Sequence, residues 1–393
     1  MSADIFPTQK QKEAKGFHKL AQEIRVLKIG ITGASGAIGV PLIKRLIKAN
    51  NTAHINIYQR MSSISSPRLK LLEERYRENL KFFRGNSFSL DPYFDFVSNS
   101  DAIFHLALDS RNNFASHSIN EINQYLLLNN TVITAILASI ANHQVKPFIF
   151  SSSYGIYFHL CQPRLNTKCT EEDLSFLSPD LVAYAKKYAE FIRCLAEDTF
   201  IHQLPIKKMV ELARDYLAKN DQIIRYSGHP LYAIQKLINE MVIQDDLRAI
   251  SLRIGNNYGE DDAPDRIVPM LINLVGKGGV QKIYNEKRSF IYQDDIVEIL
   301  LRSILMCMQD LKKEQKVITV AHPDIISTFD VACKIKSLTS SETILVPEEI
   351  IQNRHLDLDL SRMNQYLQMD ANNLVSLPEG LNRTIKSLQH NLN

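Results

Sequence analysis

The chain is predicted to be an α/β protein: a doubly wound parallel sheet with helices on both faces, a helical insertion, and a smaller C-terminal α+β domain. Three observations predict it. Short apolar runs alternate with helical patterns from Lys28 to Ile254, as expected for strands buried on both faces and joined by crossover helices. The stretch Lys28–Gly39, Lys-Ile-Gly-Ile-Thr-Gly-Ala-Ser-Gly-Ala-Ile-Gly, has the form of a strand that turns into a helix through Gly33, Gly36 and Gly39. Between about residues 160 and 228 the alternation is interrupted by charged amphipathic patterns, which predict an insertion made of helices.

In chain order, residues 1–26 form a polar extension with a predicted helix over Gln9–Glu23. The glycine turn leads into a helix over Val40–Lys48. Strands are then predicted at His54–Tyr58, around Phe82 and Phe83, at Asp101–Leu106, and at Pro147–Phe150, which runs on into Ser151-Ser152-Ser153; a long helix over Ile119–Asn142 precedes the last of these. Within the insertion two helices are predicted, Pro179–Asp198 and Ile206–Lys219. A helix at Tyr232–Gln244 and a strand at Ala249–Ile254 resume the alternation. Beyond a turn rich in glycine (Gly276, Gly278, Gly279), a helix over Asp294–Met308 and a strand near Val317–Val320 are expected to return to the sheet.

Composition excludes several classes. With 393 residues, 45% hydrophobic and 23% charged, the chain is long enough for a large core. A net charge of +3 from 46 basic and 43 acidic residues is too small to drive nucleic-acid binding. The five cysteines are scattered and form no Cys-x-x-Cys pair, so neither a disulfide framework nor a metal site is expected. Met1–Arg25 has no apolar signal-peptide core and no run is long enough to span a bilayer; the expectation is a soluble, reduced, cytoplasmic protein with no membrane partner.

The chemistry can be argued from residue types. The three glycines serve a tight turn, a close approach to a pyrophosphate and helix–strand packing, and the helix N-terminus that follows attracts an anion. Tyr232 and Lys236 lie four apart in a helical pattern and therefore share a face. An ammonium beside a phenol, with an oxidised nicotinamide nearby, would draw the tyrosine pKa down toward neutrality, so that Tyr232 exchanges a proton with a substrate hydroxyl. Ser153, at the carboxyl end of a strand, would hydrogen-bond the same oxygen. At the end of the second strand stand Tyr58-Gln59-Arg60-Met61-Ser62-Ser63 with no acid; a guanidinium and two hydroxyls there suit the 2′-phosphate of NADP, whereas NAD usually meets a carboxylate. Tyr184 competes with Tyr232, because Tyr184-Ala-Lys-Lys-Tyr188 has a similar form. It lacks a lysine at position 188, and Tyr232 is preferred.

Several pieces then fall in one order: Thr32-Gly-Ala-Ser-Gly-Ala-Ile-Gly39, Asp101-Ala-Ile-Phe-His-Leu-Ala107, Asn129, Ser151-Ser-Ser153, Tyr232-x-x-x-Lys236-x-x-x-Glu240, Arg253-Ile-Gly-Asn-Asn-Tyr-Gly259 and Arg288-Ser-Phe-Ile-Tyr-Gln-Asp-Asp295. Together they resemble the extended short-chain dehydrogenase/reductases, the NAD-dependent epimerase/dehydratase family, over about residues 28–320. The resemblance implies a Rossmann-type NAD(P)-binding domain over 27–253, with the insertion at about 160–228, and a substrate domain over 254–393 from which 294–320 returns. It implies that Gly33, Ser35, Gly36, Ala37, Ile38, Gly39, Gln59, Arg60, Ser62, Leu106, Ala107, Asn129, Ser151, Tyr232 and Lys236 hold the cofactor, NADP being favoured over NAD. Ser153, Tyr232 and Lys236 would be catalytic. Ser153, Asn256 and Arg288 would bind the substrate, with Arg288 on the diphosphate of a nucleotide sugar unless it is paired to Asp294 or Asp295. His105 is expected to support the cofactor pocket by hydrogen bonding, and a homodimer is expected.

The departures matter too. Tyr154 and Gly155 stand where sugar dehydratases of the family carry an acidic pair, Phe158 stands where a glycine is usual, and the gap from Ser153 to Tyr232 is longer than the family pattern. Three readings stay open: a nucleotide-sugar epimerase or related modifier, an NADPH-dependent carbonyl reductase, and a non-catalytic dinucleotide-binding module. The insertion reads either as surface decoration or as a lid or subunit contact.

Overall fold

The computed structural model describes residues 24, 26–60, 67–85, 88–107, 119–160, 168–172, 174, 179–219, 231–348 and 357–390. The expected helix at Gln9–Glu23, together with Ser62, lies outside them. Seven strands form one sheet: β1 (Lys28–Thr32), β2 (His54–Arg60), β3 (Leu80–Gly85), β4 (Ala102–His105), β5 (Phe148–Ser153), β7 (Ala249–Ile254) and β11 (Val317–Val320), in the order β11-β7-β5-β4-β1-β2-β3. All pairings are parallel. β4, β5 and β7 are buried along their whole length, which is why they read as continuous rather than alternating apolar runs. The chain leaves β1 toward β2 on one side and later returns to β4 on the other. The crevice this opens at the carboxyl ends of β1 and β4 is where ligands of such sheets bind.

Both faces are covered. On one lie α1 (Gly39–Ala49), α2 (Pro67–Arg75) and α10 (Gln293–Cys307), whose Leu42, Ile43, Leu72, Leu300 and Ile304 join sheet residues Ile31, Ile57 and Ile250 in a single core. On the other face lie α3 (Asp91–Ser98), α4 (Ile119–His143), α6 (Pro179–Ile201), α7 (Ile206–Lys219) and α8 (Leu231–Ile243). The insertion is therefore built into the helical layer. Leu181, Ala185, Tyr188, Ile192 and Ala196 repeat at helical spacing along α6 and are buried, each large apolar side chain adding about 1.5–3 kcal/mol. A two-residue strand in the insertion, β6 (Lys168–Cys169), pairs in parallel with β14 (Asp357–Leu358) and so ties it to the C-terminal region.

The remaining elements pack at the carboxyl edge of the sheet. β8 (Asn256–Tyr258), β10 (Lys287–Tyr292) and β12 (Ile325–Ser327) form a three-stranded sheet, and α9 (Ile267–Gly276) and α11 (Thr328–Thr339) share a third core with it. β9 (Val280–Tyr284) pairs with β13 (Ile344–Glu348). The two acids that follow Tyr292 staple this region to the main sheet. Asp294 receives Arg45 of α1 and Arg383 of α13 (Leu377–His390), and Asp295 accepts the Val375 amide at 3.0 Å. The carboxylate that Arg288 meets is that of Glu286.

Candidate active site

The glycine turn closes at the crevice. Gly33 has φ +74°, and a Cβ there would lie 2.6 Å from the Ala107 amide nitrogen; one on Gly39 would lie 2.7 Å from the Ala34 Cα. The turn therefore lies backbone to backbone against both the segment just past β4 and the start of α1. A Cβ on Gly36 would press on the Gly33 carbonyl oxygen at 3.2 Å, so this position too is tight against backbone, though less so than Gly33 and Gly39. The α1 N-terminus is capped by no side chain and carries no acid in its first turn, leaving its amides for an anion. Gly33→Ala is expected to weaken dinucleotide binding at least about tenfold and to cost about 1–3 kcal/mol of stability; fluorescence titration and urea unfolding measure the two effects.

Two adjoining clefts run from this turn. The first, about 860 Å³, is lined by Gly33, Ser35, Gly36, Gln59, Arg60, Leu106, Ala107 and also Tyr58, Asn130 and Ile133. The Asn129 side chain lies outside the described residues; its neighbour Asn130 lines this cleft and was not foreseen. His105 is buried at the back of it, in a chain of hydrogen bonds with one consistent direction. The Ala107 amide donates to Thr32 Oγ1 at 3.2 Å, and Thr32 meets His105 Nδ1 at 2.7 Å. His105 Nε2 meets Thr134 Oγ1 at 2.9 Å, and Thr134 donates to the Asn130 carbonyl. With Thr134 already donating, the imidazole carries its proton on Nε2. Burial, reinforced by Lys236 and Arg60, lowers the His105 pKa to about 3, so the ring stays neutral and acts as a brace. At the end of β2, Gln59 Oε1 accepts from Arg84 Nε at 2.9 Å, and Arg84 is held by Glu73 at 3.1 Å. Arg84 is a second guanidinium near the β2 terminus that only the β2–β3 register reveals.

The second cleft, about 1420 Å³, brings together the turn (Gly33, Ser35, Gly36, Ala37, Ile38, Gly39), Ser151 and Ser153 of β5, Tyr232 and Lys236 of α8, and Asn256 and Arg288 from β8 and β10. Tyr232 is 40% exposed, its ring opening into the cleft, and its hydroxyl hydrogen-bonds Ser153. Lys236 is buried, donates to the Ser151 carbonyl, and lies 5.7 Å from the centre of the Tyr232 ring and 4.7 Å from that of Phe150. Tyr184 lines neither cleft. It is buried among Tyr188 and Tyr216, and its hydroxyl has no hydrogen-bond partner among the described residues.

Burial raises the Tyr232 pKa, with Ser153 and Arg266 opposing it; the fall expected from the sequence takes the Lys236 ammonium together with an oxidised nicotinamide beside the phenol. Burial also lowers the Lys236 pKa from 10.5 to about 7, with Glu240 opposing it. Because the folded value lies below the ordinary one, the associated stability is complete above pH 10.5 and is lost as pH falls through about 7.

Beneath the cleft, Glu240 accepts from Ser152 and pairs with Arg253 at 2.7 Å, both ions being buried. Arg253 donates to the Tyr157 hydroxyl at 2.7 Å, and Tyr157 meets Thr319 at 3.0 Å. On the open side, Arg68 of α2 donates to the Asp261 and Asp262 carbonyls at 3.1 Å each, tying the nucleotide half to the loop after β8. Among the described residues no group of His, Cys, Asp and Glu side chains could hold a metal ion, and no helix is long and apolar enough to cross a membrane.

Residues 29–194 and 219–320 match the model of the NAD dependent epimerase/dehydratase family. The chain belongs to that family. Family membership makes it an enzyme of the NAD(P)-dependent class, and the Gly33–Gly39 cradle fits a dinucleotide pyrophosphate. A UDP-glucuronic acid 4-epimerase from Bacillus cereus, in complex with UDP-glucuronic acid and NAD, is 18% identical with a TM-score of 0.62, covering 93% of this chain and 99% of that one. A dTDP-glucose 4,6-dehydratase from Bacillus anthracis in complex with NAD is 14% identical with a TM-score of 0.64, covering 93% and 97%. A UDP-glucose 4-epimerase from Thermotoga maritima with UDP-glucose is 18% identical with a TM-score of 0.62, covering 93% and 100%. These members and relatives share the fold. No curated protein matches the chain.

Proposed function

We propose that the protein is an NAD(P)-dependent sugar-nucleotide epimerase or related modifier. The observation that carries this reading is the convergence of Ser153, Tyr232 and Lys236 with Asn256 and Arg288 in one cleft that begins at the glycine turn. Solved neighbours of the same fold were crystallised with UDP-sugars and NAD, which supports a substrate of that class. Tyr232 takes the proton of a sugar hydroxyl and later returns one. Ser153, already hydrogen-bonded to the phenol, holds the same oxygen, and Lys236 positions the helix and binds cofactor ribose. A bound nicotinamide supplies the hydride acceptor and donor. Arg288 takes the diphosphate, for which a guanidinium fork is suited. Tyr154 and Gly155 offer no acid–base pair, which argues against elimination chemistry.

The β2 terminus favours a second reading, an NADPH-dependent keto-sugar reductase. Arg60 lines the first cleft, and its charge bears on both Tyr58 and His105, a placement that supports NADP over NAD. One experiment separates the readings. Purified protein is incubated with UDP-sugars and with 4-keto sugars, with NAD(H) or NADP(H) added. The epimerase reading expects inversion at a sugar carbon by NMR with no net change at 340 nm; stoichiometric loss of NADPH absorbance supports the reductase instead. Binding of the dinucleotide without turnover of any sugar nucleotide would leave a binding module.

A further inference from the structure

We propose that Glu286 is a latch on Arg288, an internal carboxylate that a nucleoside diphosphate must displace in order to bind. The inference rests on the reading of Arg288 as the diphosphate residue. Glu286 and Arg288 stand two apart on an extended stretch, so their side chains leave the same face. Arg288 directs both Nε, at 2.9 Å, and Nη2 to a single oxygen of Glu286, while Nη1 lies 3.5 Å from Asn256 Oδ1. The carboxylate holds the Nε–Nη2 edge, one of the two edges by which a guanidinium grips a phosphate, and Tyr154 also hydrogen-bonds the arginine. The pair is not a loose surface contact: its side chains are about one-fifth exposed, 20% and 19%. The Glu286 backbone is fixed in both directions by Thr328, whose amide donates to the Glu286 carbonyl at 2.9 Å and whose hydroxyl accepts the Glu286 amide at 3.3 Å.

The arrangement has a chemical consequence. A diphosphate brings two charged groups and can replace one carboxylate oxygen with a bidentate contact. A ligand without phosphate cannot repay the loss of the Glu286–Arg288 pair and leaves it closed. The pocket thus discriminates by charge at Arg288, using a competitor that belongs to the chain.

Isothermal titration of UDP, with uridine as the uncharged control, into wild type, Glu286→Gln, Arg288→Ala and the double variant tests this. Glu286→Gln is expected to tighten UDP about tenfold and leave uridine unchanged. Arg288→Ala is expected to weaken UDP about 30-fold or more, and in that background Glu286→Gln should have no further effect. Glu286→Ala, with dinucleotide binding as the check on folding, guards against a glutamine that keeps the arginine by hydrogen bonding. Unchanged or weaker UDP binding in both Glu286 variants, with Arg288→Ala still damaging, overturns the latch and spares the substrate reading. UDP binding that ignores Arg288, or UDP binding by none of the proteins, overturns both.

Discussion

Replacing Tyr232 with phenylalanine is expected to lower turnover about 10²–10⁴-fold, the range for loss of a positioned proton-transfer group, with dinucleotide affinity within about threefold of wild type. The change removes one oxygen from a ring that opens into the cleft and touches Ser153. The companion variant Tyr184→Phe carries the argument. Its hydroxyl is buried without a partner among the described residues, so its loss should leave turnover intact and stability unchanged or slightly higher. Steady-state kinetics and dinucleotide titration on both variants decide the matter: full activity in Tyr232→Phe with loss in Tyr184→Phe would move the site to α6. Because burial raises the Tyr232 pKa, the free enzyme holds a protonated phenol at neutral pH. The cofactor charge and the substrate must then lower the cost of ionising it within the complex.

The largest effect on stability is expected under the cleft. Glu240→Ala leaves Arg253, 2% exposed, as a buried guanidinium without its carboxylate, at a cost of about 3–5 kcal/mol. In the folded protein burial lowers the Arg253 pKa while Glu240 and Tyr157 raise it, so the variant removes the main group that offsets the burial of this charge. Urea unfolding should show the midpoint falling sharply in Glu240→Ala. Replacing Glu240 and Arg253 together with leucine and methionine should recover part of the loss, because the desolvation of two ions is removed along with their attraction. A double variant as unstable as the sum of the singles would mean that the pair contributes through Ser152 and Tyr157 rather than through its own charges.

Local rules carried much of this protein. Strands buried on both faces must be apolar throughout, and a strand that turns at once into a helix around a phosphate requires glycine at Gly33 and Gly39, so the sheet, its class and the turn were readable from residue order. The four-residue spacing of Tyr232 and Lys236 placed both on one helical face for the same local reason. Other features depend on contacts between distant segments. That Tyr232 rather than Tyr184 reaches Ser153 follows from how α8 lies under β5, and the insertion joins the core because α4 and α8 offer it an apolar face. The fall of the Lys236 pKa and the rise at Tyr232 each reflect that group's own desolvation, which no spacing encodes. Glu286, just before β10, pairs with Arg288 within it, a partner not foreseen from the sequence. Only the tertiary structure, by committing Asp294 to Arg45 and Arg383 and Asp295 to a backbone amide, decided which carboxylate the arginine would meet.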